Sequence, residues 1–186
     1  MAESVAPPKT ELITGEELAG MTLGGRSELV GGRRVMLSPT QRTHGKVEGR
    51  FYSAIAAVVA REDLGEVMVG EVGIYTQCNP DTVQGADVLF MSHGRLAQLR
   101  GTAFLDVAPE LIVEVLSPED RWSEMRQKIR EYFAIGVLLV WVADPDERSV
   151  HVFRSPTDVR VLTAEATLTG EAVLPGFSAQ VGQLFG

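Results

Sequence analysis

A single acidic residue, Glu114, lies inside an otherwise apolar run of the sequence. The stretch from Leu111 to Leu116 has the length and the β-branched content of a fully buried strand. Burying a carboxylate is costly unless the group is paired, hydrogen-bonded or bound to a metal ion. Glu114 therefore needs a partner, either an arginine in a structural ion pair or the metal ion of a catalytic site. The surrounding sequence favours the catalytic interpretation.

A helix is predicted to begin after residues 38–40 and to run to about Arg61. A histidine and a glutamate occupy its apolar face. At roughly 100° of rotation per residue, His44 and Glu48 fall inside the apolar arc of this helix. The arc consists of Val47, Phe51, Ile55, Val58 and Val59. His44 and Glu48 are four positions apart and can touch. Either they face a polar cavity near the helix start, or they form a satisfied pair in the core.

A second predicted helix begins at Pro118, with Ser117 as its N-cap, and ends at Ile135. It carries one lysine, Lys128, with Glu124 four residues before it and Tyr132 four residues after it. Both neighbours can contact the ammonium group or the aliphatic stem of Lys128. Lys128 lies at the edge of the apolar face, so it either reaches a buried site or forms only a surface pair with Glu124.

Composition and length predict an ordinary globular protein with one domain. Of its 186 residues, 45% are hydrophobic and 23% are charged. Residues 1–10 are expected to form a disordered tail, and residues 11–186 a single domain. The single cysteine, Cys78, excludes an internal disulfide and suits a reducing compartment. Because no apolar stretch has the length of a signal peptide or a membrane span, we expect a cytoplasmic protein without a membrane partner.

The net charge of −8 argues against tight, non-specific binding of nucleic acid. Basic residues nevertheless cluster in two parts of the chain. These clusters contain Arg26, Arg33, Arg34, Arg42, Lys46 and Arg50, and then Arg121, Arg126, Lys128 and Arg130. They either form a phosphate-facing rim or lie on separate solvated faces.

The order of predicted elements indicates an α/β fold. Residues 26–29 and 33–37 flank Gly31 and Gly32, which is a good signal for an N-terminal β-hairpin. Strands over residues 66–75 and 86–91 contain Glu71 and Asp87, and a strand at residues 149–154 is expected at the sheet edge. The strand–helix–strand unit over residues 111–142 should form a parallel pair with a right-handed crossover. We therefore expect a mixed sheet flanked by helices.

Several runs of the sequence resemble a known family. They are Gly-Ala-Asp87-Val-Leu-Phe, Pro-Glu-Leu-Ile-Val-Glu114-Val-Leu-Ser-Pro, Lys128-Ile-Arg-Glu-Tyr132 and Gly136-Val-Leu-Leu-Val-Trp141-Val-Ala-Asp144-Pro. Over roughly residues 12–186 the chain closely resembles the Uma-type restriction endonuclease family of the PD-(D/E)XK nuclease superfamily. The resemblance implies a restriction-endonuclease-like core, a divalent-metal-dependent phosphodiesterase site and a homodimer.

The sequence departs from the superfamily pattern at two positions. Alanine at position 86 replaces the proline before Asp87, which is a mild change. Leu116 occupies the position, two residues after Glu114, where the superfamily has its lysine. Lys128 on the following helix is the apparent substitute, as the resemblance to this family implies.

The chemistry of these residues agrees with the resemblance. Mg²⁺ or Mn²⁺ takes oxygen ligands, and Asp87 and Glu114 on adjacent strands can supply carboxylates, with the Val115 carbonyl as a third ligand. Glu71 or Glu48 could complete the metal environment. The ion would activate water, and Lys128 would orient that water or stabilise the phosphate in the transition state.

Three functions follow as hypotheses. The first is a metal-dependent endonuclease that hydrolyses phosphodiester bonds, with DNA as substrate. The second is a non-catalytic dimeric binding or regulatory module on the same fold, against which the intact set of Asp87, Glu114 and Lys128 argues. The third is a metal-dependent hydrolase of a small phosphorylated substrate, which a narrow site without a basic flank would favour.

Overall fold

A large mixed sheet forms the centre of the computed structural model, which describes residues 12–22, 25–101 and 103–186. The expected disordered tail at residues 1–10 lies outside the described residues. In chain order the strands are β1 Ser27–Val30, β2 Arg33–Met36, β3 Gly65–Gln77, β4 Thr82–Ser92, β5 Leu111–Val115, β6 Leu139–Asp144, β7 Ser149–Phe153, β8 Val159–Leu162, β9 Thr167–Thr169 and β10 Ser178–Gln180. The helices are α1 Gly15–Gly20, α2 Arg42–Glu62, α3 His93–Leu96, α4 Trp122–Ile135 and α5 Val181–Phe185.

The strand order in the large sheet is β2-β1-β4-β5-β6-β7-β8, and β3 pairs with β4 beside this path. Strands β1 and β2 form the predicted hairpin, with Gly31 and Gly32 at positive φ in its turn. Strand β5 runs parallel to β6 and antiparallel to β4, which confirms the predicted parallel pair. The sheet therefore combines both strand directions, as expected.

Helices cover both faces of this sheet. On one face the apolar arc of α2, including Phe51, packs against inward-facing residues such as Val113 and Trp141. On the other face Ile129 and Tyr132 of α4 pack against residues such as Ile112. Because side chains alternate along a strand, β5 directs its odd-numbered residues toward α2 and its even-numbered ones toward α4. Glu114 therefore faces α4.

Two predictions about the elements are wrong, one about where a helix begins and one about where a strand lies in the sheet. Helix α4 begins at Trp122 rather than at Pro118, because residues 117–120 form a turn. In this turn the Ser117 N–H donates to Asp120 Oδ2 at 2.8 Å, and the Asp120 N–H donates to the Ser117 carbonyl at 2.9 Å. The second error concerns β7, which lies between β6 and β8, so that β8 is the edge strand.

No helix in the described part of the chain combines the length and the apolar character needed to cross a bilayer.

Candidate active site

An open cleft of about 660 Å³ lies between the β1–β2 hairpin, the start of α2, the central strands β4 and β5, and α4. Its walls include His44, Glu71, Asp87, Glu114, Val115, Glu124 and Lys128. The fold thus brings into one cleft residues that are widely separated in the sequence. Of the residues predicted from sequence for the site, Glu48 and Tyr132 lie behind this lining and contact it.

Adjacent strands position the two central carboxylates. Val88 of β4 lies opposite Val113 of β5, so Asp87 and Glu114 occupy the next pair of positions along the two strands. Both residues are buried, each with 4% of its surface exposed. Asp87 Oδ2 accepts a hydrogen bond of 2.7 Å from the Val115 N–H. This backbone contact fixes Asp87 against the end of β5.

Two residues of α4 engage both oxygens of Glu114. The Tyr132 hydroxyl donates to Oε1 at 2.6 Å, and Lys128 Nζ donates to Oε2 at 3.2 Å. Burial raises the pKa of Glu114 to about 7, because it outweighs the opposing charge of Lys128, and the neighbouring Asp87 adds to the rise. Glu114 is therefore a carboxyl group poised to change its protonation state near neutral pH.

Lys128 is held by three acceptors. Its ammonium group donates to the Gly85 carbonyl at 2.6 Å and to Glu114, and it lies 3.4 Å from Glu28 Oε1. Burial alone would lower the pKa of Lys128, but the charges of Glu114 and then Glu28 outweigh it and raise the pKa. Lys128 consequently stays positively charged at neutral pH and cannot serve as a base.

The predicted contact between Lys128 and Glu124 is not found among the described residues. The side chain of Lys128 turns toward the sheet, where its acceptors lie, whereas Glu124 is exposed on the cleft wall. Tyr132, in contrast, lies close to Lys128, with its ring centroid 6.0 Å from Nζ. The interpretation of Lys128 as only a surface partner of Glu124 is therefore wrong.

His44 and Glu48 extend the site on the α2 side of Asp87. His44 Nε2 lies 3.3 Å from Asp87 Oδ2, and His44 Nδ1 lies 3.8 Å from Glu48 Oε2. Burial would lower the pKa of His44, but the hydrogen bond and charge of Asp87 outweigh it and raise the pKa. Burial, followed by the charge of Asp87, raises the pKa of Glu48. The pair therefore belongs to the polar site rather than to a self-contained core contact.

The donor atoms of His44, Glu48 and Asp87 fit a cation site. One ligand atom from each residue can be chosen so that all lie within 4.8 Å of one another. His44 Nδ1 is buried without a hydrogen-bond partner, so a nitrogen donor remains available beside Glu48. Glu114 is less available, because Tyr132 and Lys128 already occupy its oxygens. The free donors thus lie on the α2 side of Asp87.

A β-bulge in β3 positions the remaining predicted acid, Glu71. The register with β4 shifts between Val69 and Val72, and Glu71 has a positive φ of 61°. Its carboxylate forms an ion pair with Arg26, while the neighbouring Gly70 N–H donates to Glu48 Oε1 at 3.2 Å. The bulge therefore supports Glu48 directly, and Glu71 lines the cleft as the partner of Arg26.

Sequence reasoning missed Glu28 as a member of the site. This residue of β1 accepts a hydrogen bond of 2.9 Å from the Gly85 N–H and also faces Lys128. The pairing of β1 with β4 at Leu29 and Val83 places it there. An acidic residue within a short strand of the hairpin was the only available signal, and the partner strand could not be read from the sequence.

Of the two alternatives for the basic residues, the phosphate-facing rim is largely absent from the cleft. Arg26, Arg121 and Lys128 are the arginine and lysine side chains among its described lining residues, against eight carboxylates. These acids are Glu28, Glu71, Asp87, Glu114, Glu119, Asp120, Glu124 and Glu131. Because Arg26 and Lys128 are already paired, the wall of the cleft is acidic overall.

Comparison with known proteins gives a family and a structural relative. The family model described as "Uma2: Putative restriction endonuclease" matches residues 15–182. The crystal structure of "a putative nuclease belonging to DUF820" from Anabaena variabilis is similar, with a TM-score of 0.77 at 20% identity. This similarity covers 93% of the present chain and 97% of the other, and it confirms the predicted fold class. Among curated proteins no match is found.

Proposed function

Since the chain belongs to the Uma2 family, we propose that it is a divalent-metal-dependent endonuclease that hydrolyses phosphodiester bonds in DNA. The observation that carries the proposal is the meeting of Asp87, Glu114 and Lys128 in one cleft, although they come from two strands and a helix. Two buried carboxylates beside a partly buried ammonium group form a costly arrangement that packing alone does not require.

A divalent cation would be held around Asp87. His44 and Glu48 offer donors on one side of this carboxylate, and Glu114 and the backbone of Val115 lie on the other. Carboxylate oxygens suit Mg²⁺ and Mn²⁺, and an added imidazole nitrogen suits Mn²⁺ better. When bound, such an ion lowers the pKa of its water ligand and neutralises charge on the phosphate.

Lys128 supplies fixed positive charge in this mechanism. It remains protonated, and Gly85, Glu114 and Glu28 hold its partly buried ammonium group in place. An ammonium group positioned before the reaction stabilises developing negative charge on a phosphate without reorganisation. Tyr132, on the same helix as Lys128, holds Glu114 in position by donating a hydrogen bond to it.

We also propose a setting for this activity. Residues 11–186 form one domain, supported by the continuous sheet from β2 to β8. The protein acts as a homodimer, as the family resemblance implies, and in the cytoplasm, where its exposed thiol at Cys78 would stay reduced.

A second candidate function is hydrolysis of a small phosphorylated molecule. The acidic lining of the cleft favours this alternative, because a long polyanion meets more repulsion there than a single phosphate does. The two functions differ in their substrates. Cleavage of a supercoiled plasmid supports the endonuclease, whereas turnover of bis(p-nitrophenyl) phosphate without plasmid cleavage supports the small-molecule hydrolase.

The substitution Lys128→Met tests the catalytic assignment. We expect it to abolish plasmid cleavage while the cation still raises the melting temperature, because the cation donors are retained. Arg130→Met is the matched control, since Arg130 is exposed on the same helix and contacts Gln127. Adding Leu116→Lys should restore part of the activity, because position 116 shares the face of Glu114. Full activity in Lys128→Met would refute the role of this lysine, and an inactive wild type would support the non-catalytic binding module.

A further inference from the structure

A second groove lies beside the cleft, on the other side of the first turn of α4. Its volume is about 470 Å³. The residues that line it are Trp122, Arg126, His151, Phe153, Pro156 and Val159. Arg121 lines the cleft and the next residue, Trp122, lines this groove. A chain-like ligand that leaves the cleft over the start of α4 would therefore reach the groove directly.

The groove offers an aromatic surface. Trp122 is partly exposed, and its ring lies 4.7 Å from that of His151 with an angle of 50° between the ring planes. Burial lowers the pKa of His151, so this imidazole is neutral at pH 7. Trp122 and His151 thus present two uncharged π-systems next to each other.

The charge of the groove differs from that of the cleft. Within the described residues its lining contains no carboxylate, although the protein carries 25 acidic residues. Arg126 adds a positive charge at this surface. An anionic ligand therefore meets less repulsion here than in the cleft, where eight carboxylates line the wall.

We propose that this groove binds an unpaired nucleobase of the nucleic-acid strand whose phosphate enters the cleft, with Trp122 stacking on the base and Arg126 contacting the adjacent phosphate. Base–aromatic stacking tolerates any base and is worth about 1–3 kcal/mol per base. Stacking is useful to a protein of net charge −8, because general electrostatic attraction to DNA is weak. The inference rests on the proposed nuclease function and extends it to strand recognition.

Tryptophan fluorescence tests the groove directly. The chain has two tryptophans, and Trp141 is fully buried, so a ligand that stacks at the surface quenches Trp122 alone. The probes are oligothymidylate, an abasic oligonucleotide of the same length, and thymidine monophosphate. Each probe is titrated into the wild-type protein in EDTA. It is also titrated with Mn²⁺ into Lys128→Met, which should bind the probe without cleaving it. We expect quenching by oligothymidylate and none by the abasic strand.

Variants at position 122 give the quantitative test. Trp122→Leu keeps an apolar side chain against the core and should weaken oligothymidylate binding by about 5- to 150-fold, the loss expected for one stacked base. Trp122→Phe should retain most of the affinity because it keeps a ring. Abasic-strand affinity should stay the same in both variants, and Arg130→Ala should bind like the parent protein.

Two results would overturn the inference. Equal affinity of Trp122→Leu and the parent protein for oligothymidylate would show that the ring only packs on His151. Thymidine monophosphate that binds as tightly as the oligonucleotide would assign the groove to a free nucleotide. In either case plasmid cleavage by the wild type would leave the proposed function standing. Absence of both cleavage and oligonucleotide binding would reject the two together.

Discussion

The substitution Glu114→Gln, studied without divalent cations, separates the two forces that act on the buried carboxyl group. Burial disfavours the charged form of Glu114, whereas Lys128 and Tyr132 favour it. The structure indicates that burial prevails, because the pKa is raised from 4.5 to about 7. Glutamine keeps the shape of the side chain and removes its titration. The difference in stability between the two proteins therefore reports the ionisation of Glu114.

The sign and size of the effect follow from linkage. Folding raises the pKa of Glu114, so the folded state holds this proton more tightly than the unfolded chain does. The stability that this group contributes is fully present below pH 4.5 and is lost as the pH rises toward 7. This rise in pKa corresponds to a loss of folding stability on the order of 3 kcal/mol, most of which occurs between about pH 5 and 8.

Urea denaturation in EDTA across this pH range provides the assay. We expect the free energy of unfolding of wild type to fall, relative to Glu114→Gln, by on the order of 2–3 kcal/mol between about pH 5 and 8. Glu124→Gln is the matched control, because it makes the same substitution at an exposed glutamate on the same helix. A constant difference between wild type and Glu114→Gln would refute the reasoning, since it would mean that Lys128 and Tyr132 keep Glu114 ionised throughout.

Two further predictions concern the neighbours of these carboxylates. Tyr132→Phe removes the hydroxyl that donates to Glu114 at 2.6 Å. It should lower the free energy of unfolding by about 1–3 kcal/mol, the cost of an unsatisfied buried acceptor. Unchanged urea denaturation would show that the hydrogen bond adds no net stability. Wild type should bind Mn²⁺ at least tenfold more tightly than Mg²⁺ by calorimetry, because an imidazole nitrogen favours the transition metal. His44→Gln should lose this preference for Mn²⁺. The control His93→Gln changes an exposed histidine paired with Asp63 and should keep it. An unchanged preference in His44→Gln would exclude imidazole ligation.

The central part of the fold was predictable because its signals are local. The apolar run around Glu114 has the composition of a strand buried on both faces, and the strand–helix–strand spacing predicts the parallel β5–β6 pair. A carboxylate in such a strand needs a partner because of its cost of burial, and Lys128 and Tyr132 supply it. The apolar arc of α2 likewise predicted that His44 and Glu48 face inward.

The remaining features depend on pairings between distant parts of the chain. Glu28 reaches Lys128 only because β1 pairs with β4, and no local pattern encodes that choice. Helix α4 begins four residues later than its Ser-Pro signal suggests, because Asp120 accepts from the Ser117 N–H and closes a turn first. The expected role of Glu124 was wrong for a similar reason. Spacing along a helix allows a contact with Lys128, but stronger acceptors on the sheet attract the ammonium group.

If the substrate is a phosphodiester, as we propose, the acidity of the cleft favours a binding mode that depends on a cation. Eight carboxylates line the wall, while the charges of Lys128 and Arg26 are already shared with glutamates. A cation among His44, Glu48 and Asp87 would supply the missing positive charge where the phosphate must lie. By thermodynamic linkage, the factor by which the cation raises substrate affinity equals the factor by which substrate raises cation affinity. On the proposed function, the acidic cleft would therefore favour entry of the metal ion first, and the bound ion would strengthen binding of the phosphate.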